Sequence, residues 1–507
     1  METWVISTSI ILAYVVLVGI LGAVAFRKLR VNIEDYFLVS RLAGFFILYL
    51  TIVGTYHSAY AILTSCGVFY STGVFFWDAG TWTFITGLCS YILGYRFWIL
   101  GKKYGYMTPS DLLSDFYDSR FLGFLVAIIM AIFLIPYIVV QAMGLGYIIS
   151  VASEGVIPYT YGMIALSLFT AVYCLVGGLR AVYWTDVFQG IWMFIALWVA
   201  GLFLVFTVFK GGIAEVFSIL AVEKPALLTI NVPYTYWLSM TFVFSFGIVL
   251  QPHLWVRYYT ARDPKTLKWL GATTPIYLMF IYVPAALIGF TAAAAVAKGL
   301  MPEIVKTYGT VDATLPAMLV KFAPPWFTGI LLAGAAAAAM STMDSQFHAF
   351  SLVLTRDIYQ KINPKAPDTA LIRAGRIFIA IALLLSAWFA VYRPGIIFDI
   401  VAFAGAGTLQ LLPATIGAIY PTGRFKVTKI AAITGIIIGS IIVIITEFTG
   451  RLGLPAWLYR PYGFHGGMIA FLINIVITLI ISLLTKPPSP EKIEKFHKLL
   501  EEEIYKK

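Results

Sequence analysis

The stretch AGAAAAAMSTMDSQ, residues 333–346, lies inside an apolar run that extends from about residue 326 to residue 354. Seven small residues in a row let a neighbouring helix backbone come very close, which larger lipid-facing side chains would prevent. Ser341 and Thr342 follow them, about 100° apart on a helix, so both hydroxyls can face one narrow interhelical gap. Each hydroxyl can bond back to the carbonyl four residues earlier, or it can serve as an oxygen ligand for a small hard cation.

The composition places the chain in a lipid bilayer. Of its 507 residues, 61% are hydrophobic and only 12% are charged, far from the average of soluble proteins. The short loops between apolar runs predict a single transmembrane domain over residues 1–485 and a cytoplasmic tail over residues 486–507, an amphipathic helix that is solvated or lies at the membrane surface. The runs predict thirteen spans, centred near residues 15, 58, 87, 136, 168, 197, 247, 284, 340, 383, 410, 439 and 475.

The net charge of +11 reflects an excess of basic residues, and the positions of these residues show what the charge indicates. Most of the 35 Lys and Arg residues fall in alternate loops, at residues 27–41, 96–120, 180, 257–268, 356–376, 424–429 and in the tail. Because basic residues mark cytoplasmic loops, the N-terminus is predicted outside and the C-terminus in the cytoplasm. The basic balance therefore indicates topology and not a nucleic-acid partner. The three cysteines all lie in predicted spans and form neither a disulfide framework nor a metal site.

Two predicted spans carry polar or helix-breaking residues near their centres. The second span contains GTYHSAY over residues 54–60, and the seventh is interrupted by Gly247 and Pro252. The second could be a plain buried helix, or it could be unwound, with freed carbonyls that line a cavity or bind an ion. The two interruptions lie five spans apart, as two inverted five-helix repeats would produce, in spans two to six and seven to eleven. The His57 side chain has no His, Cys or carboxylate spaced to join it in a metal site.

Other polar positions admit a structural and a functional interpretation. Tyr137 and Gln141 share one face of the fourth span, and they would either pack against a neighbouring helix or form a cavity wall. Asp186 opens the sixth span, where it would either answer the helix dipole or line a water-filled vestibule. The five histidines form no HExxH or similar spacing, and no base or metal is positioned for catalysis, so no enzyme is predicted.

Four short motifs occur along the chain in this order: EDYFL at residues 34–38, GGLxAVxxTDxxQ at 177–189, QPH at 251–253 and AxxST at 338–342. In this combination the sequence resembles the sodium:solute symporter family, to which proline, pantothenate, monocarboxylate and sugar symporters belong. The resemblance implies an all-α integral membrane fold, an inverted five-helix-repeat transporter bundle with broken helices. That bundle has one leading and two trailing helices, in agreement with about thirteen transmembrane helices.

The resemblance also implies a set of site residues. Tyr56 stands where some relatives have a carboxylate just before the second-span serine. Asp186 would lie on the route by which sodium leaves on the inner side. Sodium would be bound by the backbone carbonyls of Gly54, His57 and Ala338 and the hydroxyls of Ser341 and Thr342. The solute would lie beside the broken helices, against Tyr60, Tyr137, Gln141, Phe244 and Ile248.

The expected function is sodium-coupled symport by alternating access, which imports a small organic solute across the cell membrane. The solute would be an amino acid such as proline, or a monocarboxylate or pantothenate-like acid. Proton-coupled symport is an alternative, although a site of hydroxyls and carbonyls holds no titratable proton. An ion channel is a further one, although it would lack paired broken helices. The expected partners are the solute, the sodium ion and the lipid bilayer, with no obligate protein partner evident.

Overall fold

The computed structural model describes residues 2–26, 32–420 and 425–505. The regular secondary structure of these ranges is helical, and their one β pairing is an isolated bridge between Ala43 and Ala261. The helices of the first half are α1 Thr3–Phe26, α2 Ile33–Leu38, α3 Phe45–Tyr56, α4 Ser65–Thr72, α5 Asp78–Ile92, α6 Gly94–Tyr104, α7 Pro109–Phe116, α8 Arg120–Ala152, α9 Tyr159–Val208, α10 Gly212–Glu223 and α11 Tyr234–Phe242.

The second half continues in the same way and ends on a helix in the tail. Its helices are α12 Pro252–Tyr259, α13 Pro264–Phe280, α14 Tyr282–Ala297, α15 Ile304–Tyr308, α16 Thr314–Phe322, α17 Pro325–Val353, α18 Gln360–Ile362, α19 Asp368–Val391, α20 Ile397–Leu409, α21 Leu412–Ile419, α22 Lys429–Glu447, α23 Gly466–Leu484 and α24 Pro490–Tyr505. Wider π-helix turns occupy Tyr60–Thr64, Val243–Gly247 and Leu354–Tyr359. The predicted all-α class is confirmed.

The number of membrane spans depends on how interrupted helices are counted. Within the described ranges, nine helices are long and apolar enough to cross a membrane, or up to eleven if each of two bent pairs is one span. α9 enters that count as one helix although Gly178 inside it is not helical, and α3 is too short to enter it alone. Thirteen spans and the orientation of the termini stay predictions, and the basic residues at 27–31 and 421–424 lie outside the described ranges.

The glycine pair of the second motif forms a sharp turn within α9. Gly178 has φ 57° and ψ −159°, a conformation that other residues rarely adopt. A Cβ at this position would lie 2.7 Å from the ring of Tyr36. Asp35 forms an ion pair with Arg180 across the same contact. The motifs at residues 34–38 and 177–189 therefore pack directly against each other in the bundle.

The alanine-rich α17 lies at the centre of the bundle. All its residues from 331 to 353 are buried, and it packs against α9, α8, α1 and α3. A Cβ at Gly334 would collide with the Cβ of Ala196 on α9. This close approach of two backbones is what the run of small residues predicts.

Both predicted helix breaks are present. α3 ends at Tyr56, and His57 leaves helical geometry with φ −90° and ψ 86° before the π-helix Tyr60–Thr64 begins. α11 runs into the π-helix Val243–Gly247, and α12 starts only at Pro252. Each break frees backbone carbonyls from their helical partners at a fully buried position. These freed carbonyls are the groups around which the candidate site is built.

The tail helix α24 packs against α6, α7 and α21, with Phe496 fully buried. Lys492 and Lys495 form ion pairs with Asp115 of α7. Desolvation raises the pKa of Asp115, but hydrogen bonds from Lys492, Lys495 and Tyr106 outweigh it and lower this pKa to about 2. The apolar face of this helix thus packs on the protein while residues such as Lys498 and Glu501 stay exposed, and its assignment as a cytoplasmic tail remains a prediction.

Candidate functional site

The paired hydroxyls of α17 face the break that follows α3. Ser341 Oγ donates to the carbonyls of Gly54 and Ala338 at 3.0 and 3.2 Å. Thr342 Oγ1 donates to the carbonyl of Thr55 at 3.2 Å and reaches that of Gly54 at 3.5 Å. Both side chains are fully buried. The hydroxyls therefore bridge two helices, and neither bonds to the carbonyl four residues earlier in its own helix.

His57 lies at the break, but its side chain serves a different contact. The imidazole ring lies 5.0 Å from the ring of Tyr277 on α13, measured between centroids. Among the hydrogen bonds of the described residues, none joins the His57 carbonyl to Ser341 or Thr342. Four of the five implied sodium ligands are thus brought together, and the sodium-binding role of all five stays a prediction.

The chemistry of these oxygens fits a small monovalent cation. Two carbonyls and two hydroxyls converge, and none of the four groups carries a charge. A hydroxyl can turn its hydrogen away and present a lone pair, so hydrogen bonds within the site can be exchanged for contacts to an ion. In the described part of the chain, no group of three or more His, Cys, Asp or Glu residues could hold a metal ion. A transition-metal site is therefore not indicated.

A buried charge network lies one helical turn further along α17. Ser345 Oγ donates to the Ser341 carbonyl at 2.8 Å and accepts a hydrogen bond from Arg257. The same guanidinium donates to Asp186 Oδ2 at 2.9 Å and also contacts Thr51. Arg257 and Asp186 are 1% and 0% exposed. Asp186 therefore stands next to the hydroxyl pair in a buried ion pair, and not at an open vestibule.

Sequence reasoning gave no functional role to Thr51, Ser345, Arg257 or Asp344, whose Oδ1 accepts a hydrogen bond from Ser345 Oγ at 3.2 Å. It assigned Arg257 to a basic cytoplasmic loop, whereas the structure places the residue inside α12. It left Asp344 without a role, although Tyr173 donates to its Oδ2 at 2.6 Å and Thr185 Oγ1 lies 3.5 Å away. The signal for Asp344 was available, because a carboxylate within an apolar span is a functional candidate by default.

A small aromatic cavity lies between the two broken helices. It encloses about 30 Å³ and contains four of the five implied solute residues. The Phe244 ring stacks on Trp82 at 4.5 Å and on Tyr60 at 5.5 Å. The full lining consists of Tyr56, His57, Tyr60, Trp82, Thr83, Thr86, Tyr137, Phe244, Ile248, Leu278, Tyr282 and Val401. This set of described residues includes no Lys, Arg, Asp or Glu.

Gln141, the fifth implied solute residue, does not line this cavity. Its Oε1 accepts a hydrogen bond from the backbone N–H of Ala59 at 2.9 Å, and its Nε2 donates to the Tyr137 carbonyl at 3.1 Å. The side chain therefore holds the backbone of the first break. Trp82, Thr86 and Tyr282 were missed as cavity residues, because aromatic and hydroxyl side chains are common throughout the spans and carry no positional signal.

The fold is a helical membrane bundle with two broken helices, and a cluster of uncharged oxygens lies where the first break meets α17. The chain belongs to the sodium:solute symporter family, whose model matches residues 36–439. Its family is one of transporters and not of enzymes, and the resemblance of the four motifs is confirmed. The chain is thus a multi-pass membrane protein.

Relatives of known sequence match almost the whole chain. The uncharacterized symporter YhjB of Bacillus subtilis is 26% identical, over 94% of this chain and 97% of that protein. The sodium/pantothenate symporter of Escherichia coli is 26% identical, over 93% of this chain and 95% of that protein. A sodium/proline symporter of Staphylococcus aureus is 24% identical, over 95% of this chain and 93% of that protein.

Two solved structures share the fold. A substrate-bound, outward-open Na+-coupled sialic acid symporter matches with a TM-score of 0.79 and 19% identity, over 96% of this chain and 98% of that one. Mhp1, a nucleobase-cation-symport-1 family transporter in a closed conformation, matches with a TM-score of 0.56 and 12% identity, over 92% and 98%. The predicted transporter bundle is confirmed at the level of the fold.

Proposed function

We propose that this chain is a sodium-coupled symporter that imports a small organic solute across the cell membrane by alternating access, with its C-terminus in the cytoplasm. The observation that carries the proposal is the contact of Ser341 and Thr342 with the carbonyl of Gly54, which the break after α3 has freed. Family membership supports sodium as the coupling ion. The relatives named as sodium/pantothenate and sodium/proline symporters support a small solute.

In this proposal sodium is a transported substrate that replaces hydrogen bonds between α3 and α17. The carbonyls of Gly54 and Ala338 and the hydroxyls of Ser341 and Thr342 bind the ion, and the His57 carbonyl adds a fifth oxygen. Because all ligands are neutral, the ion binds weakly enough to leave on the other side. One charge that crosses 100 mV releases about 2.3 kcal/mol, enough for roughly fiftyfold accumulation of a neutral solute.

Asp186 lies next to the hydroxyl pair on the route by which we propose that the ion leaves on the inner side. Ser345 connects the hydroxyl pair to Arg257, and Arg257 connects to Asp186. The carboxylate attracts a cation that moves inward, while the guanidinium keeps the buried site close to neutral. We therefore assign Asp186 to sodium exit and Arg257 to the control of its charge.

The proposed solute is a compact zwitterion of the proline type. With no Lys or Arg among the described lining residues, an acid with a net negative charge would be buried without a counter-ion. Aromatic faces such as those of Trp82, Tyr60 and Phe244 attract the ammonium group of a zwitterion. A monocarboxylate or pantothenate-like acid is therefore the less favoured solute. Tyr137 and Ile248 complete the proposed contacts.

The experiment is solute uptake into proteoliposomes with an inward sodium gradient or with a proton gradient alone. We expect uptake only with sodium, and Ser341→Ala should raise the half-saturating sodium concentration about ten- to a hundredfold, because a hydrogen bond or contact to a charged group is worth roughly 1.5–3 kcal/mol. A panel of proline, lactate and pantothenate identifies the solute class.

Ser386→Ala is the matched control, because the hydroxyl of this buried serine donates to the Leu383 carbonyl of its own helix at 3.1 Å, and within the described ranges it bridges to no other helix. It should leave the sodium requirement unchanged. Equal uptake on a proton gradient without sodium would contradict the proposal. So would an identical sodium requirement in Ser341→Ala and in the control.

A further inference from the structure

A second and larger cavity lies at one end of the bundle, apart from the solute cavity. It encloses about 530 Å³ between α7, the first turn of α8, the π-helix Leu354–Tyr359 and α18. π-helix turns are rare and frequently lie at functional sites. This one contributes Arg356, Asp357 and Ile358 to the cavity wall.

Basic side chains dominate the polar part of this cavity. Arg120, Arg356 and Lys361 line it, against a single lining carboxylate, Asp357. That carboxylate already accepts a hydrogen bond from Thr108 at 2.8 Å. Even with Asp111, which lies beside Arg356 and Lys361, the three basic groups outnumber the carboxylates by one, so the cavity mouth carries a net positive charge.

The basic groups remain accessible. Lys361 Nζ lies 3.9 Å from Asp111, and its side chain is 59% exposed. Arg356 Nε lies 3.4 Å from the same carboxylate, while its Nη1 donates to Gln360 at 2.7 Å. Arg120 is exposed at the start of α8. An incoming anion can thus reach both Arg120 and Lys361 without breaking a buried ion pair.

An exposed apolar surface begins directly beside these charges. Phe121 and Phe124, in the first turns of α8, are 57% and 48% exposed, and Phe124 also lines the cavity. Ile132 continues the exposed apolar face of the same helix. On a membrane-spanning helix such a face contacts acyl chains. The cavity therefore joins a basic mouth to a lipid-facing surface.

We propose that this cavity binds the phosphate headgroup of an anionic phospholipid, whose acyl chains lie along the exposed face of α8. Arginine and lysine are well suited to phosphate, and basic pockets between membrane helices bind lipid headgroups. A free phosphate would use the charges but not Phe121 and Phe124. A zwitterionic lipid would use the apolar face but gain little from three basic groups.

The test is native mass spectrometry of the purified protein with phosphatidylglycerol, with phosphatidylcholine or with phosphatidylglycerol and inorganic phosphate. We expect one retained phosphatidylglycerol and little phosphatidylcholine. Each lost basic group near an anionic lipid weakens binding about fivefold, so Arg120→Gln with Lys361→Gln should weaken it roughly 25-fold. Phe124→Ala should also weaken binding, because it removes an acyl-chain contact.

Lys365→Gln is the matched control, since this exposed lysine is close in sequence but does not line the cavity. It should retain phosphatidylglycerol like the unmodified protein. Three results would overturn the proposal: unchanged retention in the double variant, equal retention of phosphatidylcholine, or displacement of the lipid by millimolar inorganic phosphate together with no effect of Phe124→Ala. The last result would assign the cavity to free phosphate.

Discussion

The two broken helices free the same kind of backbone group and use it differently. At the first break the Gly54 carbonyl faces two hydroxyls, Ser341 and Thr342 of α17. At the second break the Gly247 carbonyl accepts a hydrogen bond from one hydroxyl, Thr408 Oγ1 of α20, at 2.7 Å. Among the described residues, the Gly54 carbonyl therefore meets two hydroxyls, and the Gly247 carbonyl meets one.

Gln251 closes the second break. Its Nε2 donates to the Ala404 carbonyl at 3.0 Å and to Thr408 Oγ1 at 3.3 Å. A Cβ at Gly247 would collide with the carbonyl of Gly405, so the two backbones are already in contact. At this break the Thr408 hydroxyl thus pairs with the freed Gly247 carbonyl, and the Gln251 amide donates to that hydroxyl and to the Ala404 carbonyl. The comparison leads us to expect a cation at the first break, where two hydroxyls face one freed carbonyl, and not at the second, where an amide donor lies beside the hydroxyl.

The second broken helix also supports the first. Arg257 lies on α12, the half that follows the second break, and reaches Asp186 and Ser345 beside the hydroxyl pair. The Arg257 guanidinium, which belongs to the second broken helix, thus neutralises the Asp186 carboxylate near the first. The two breaks therefore differ in role: the first faces the hydroxyl pair of the proposed sodium site, and the second positions the Arg257 guanidinium beside it.

The largest expected loss of protein stability comes from Arg257→Gln, which removes the guanidinium that contacts Asp186 and Ser345. Asp186 and Asp344 would then be buried without a guanidinium, and removal of one partner from a buried pair costs roughly 3–5 kcal/mol. Asp186→Asn should lower the free energy of unfolding by less, and the double variant should be more stable than Arg257→Gln alone. Thermal unfolding measures the stability of each variant, and sodium-dependent uptake measures its transport. A double variant no more stable than Arg257→Gln would mean that the pair is not coupled.

The variants Thr342→Val and Thr408→Val compare the two breaks directly, because each replaces one hydroxyl by a methyl group of similar size. Thr342→Val should raise the half-saturating sodium concentration about tenfold or more, because a ligand to a charged ion is lost. Thr408→Val should leave that concentration unchanged and lower the free energy of unfolding by roughly 1–3 kcal/mol, because it leaves the Gly247 carbonyl unpaired. If both variants shift the sodium requirement equally, the second break also binds the ion.

The smallest expected effects come from the glutamine at each break. Gln141→Leu leaves the Ala59 N–H unpaired and should raise the half-saturating solute concentration about two- to tenfold, the value of one neutral hydrogen bond. Gln251→Leu should destabilise the protein by a similar free energy without a change in solute affinity. Solute-dependent thermal stabilisation measures both quantities. Equal solute affinities in the two variants would show that Gln141 does not act on the cavity.

Much of the candidate site was predictable because its groups are unusual where they occur. Two adjacent hydroxyls after a run of alanines, and a Gly-Thr-Tyr-His-Ser run at membrane depth, are both poor choices for helices that face lipid. Gln141 was misplaced because its spacing from Tyr137 fixes only the helix face, and the break that its amide holds lies on another helix. Arg257 was misassigned because basic residues near a span end look alike whether exposed or buried.

The sequence by itself determined that the chain is a helical membrane protein, where two of its helices break, and which hydroxyls stand beside small residues. These features depend on local hydrophobicity and backbone propensity, which act over a few residues. Only the tertiary structure decided that Ser341 meets Gly54, that Arg257 pairs with Asp186, and that α24 docks on α7. Those contacts join residues far apart in the chain, and their partners are set by how the helices pack.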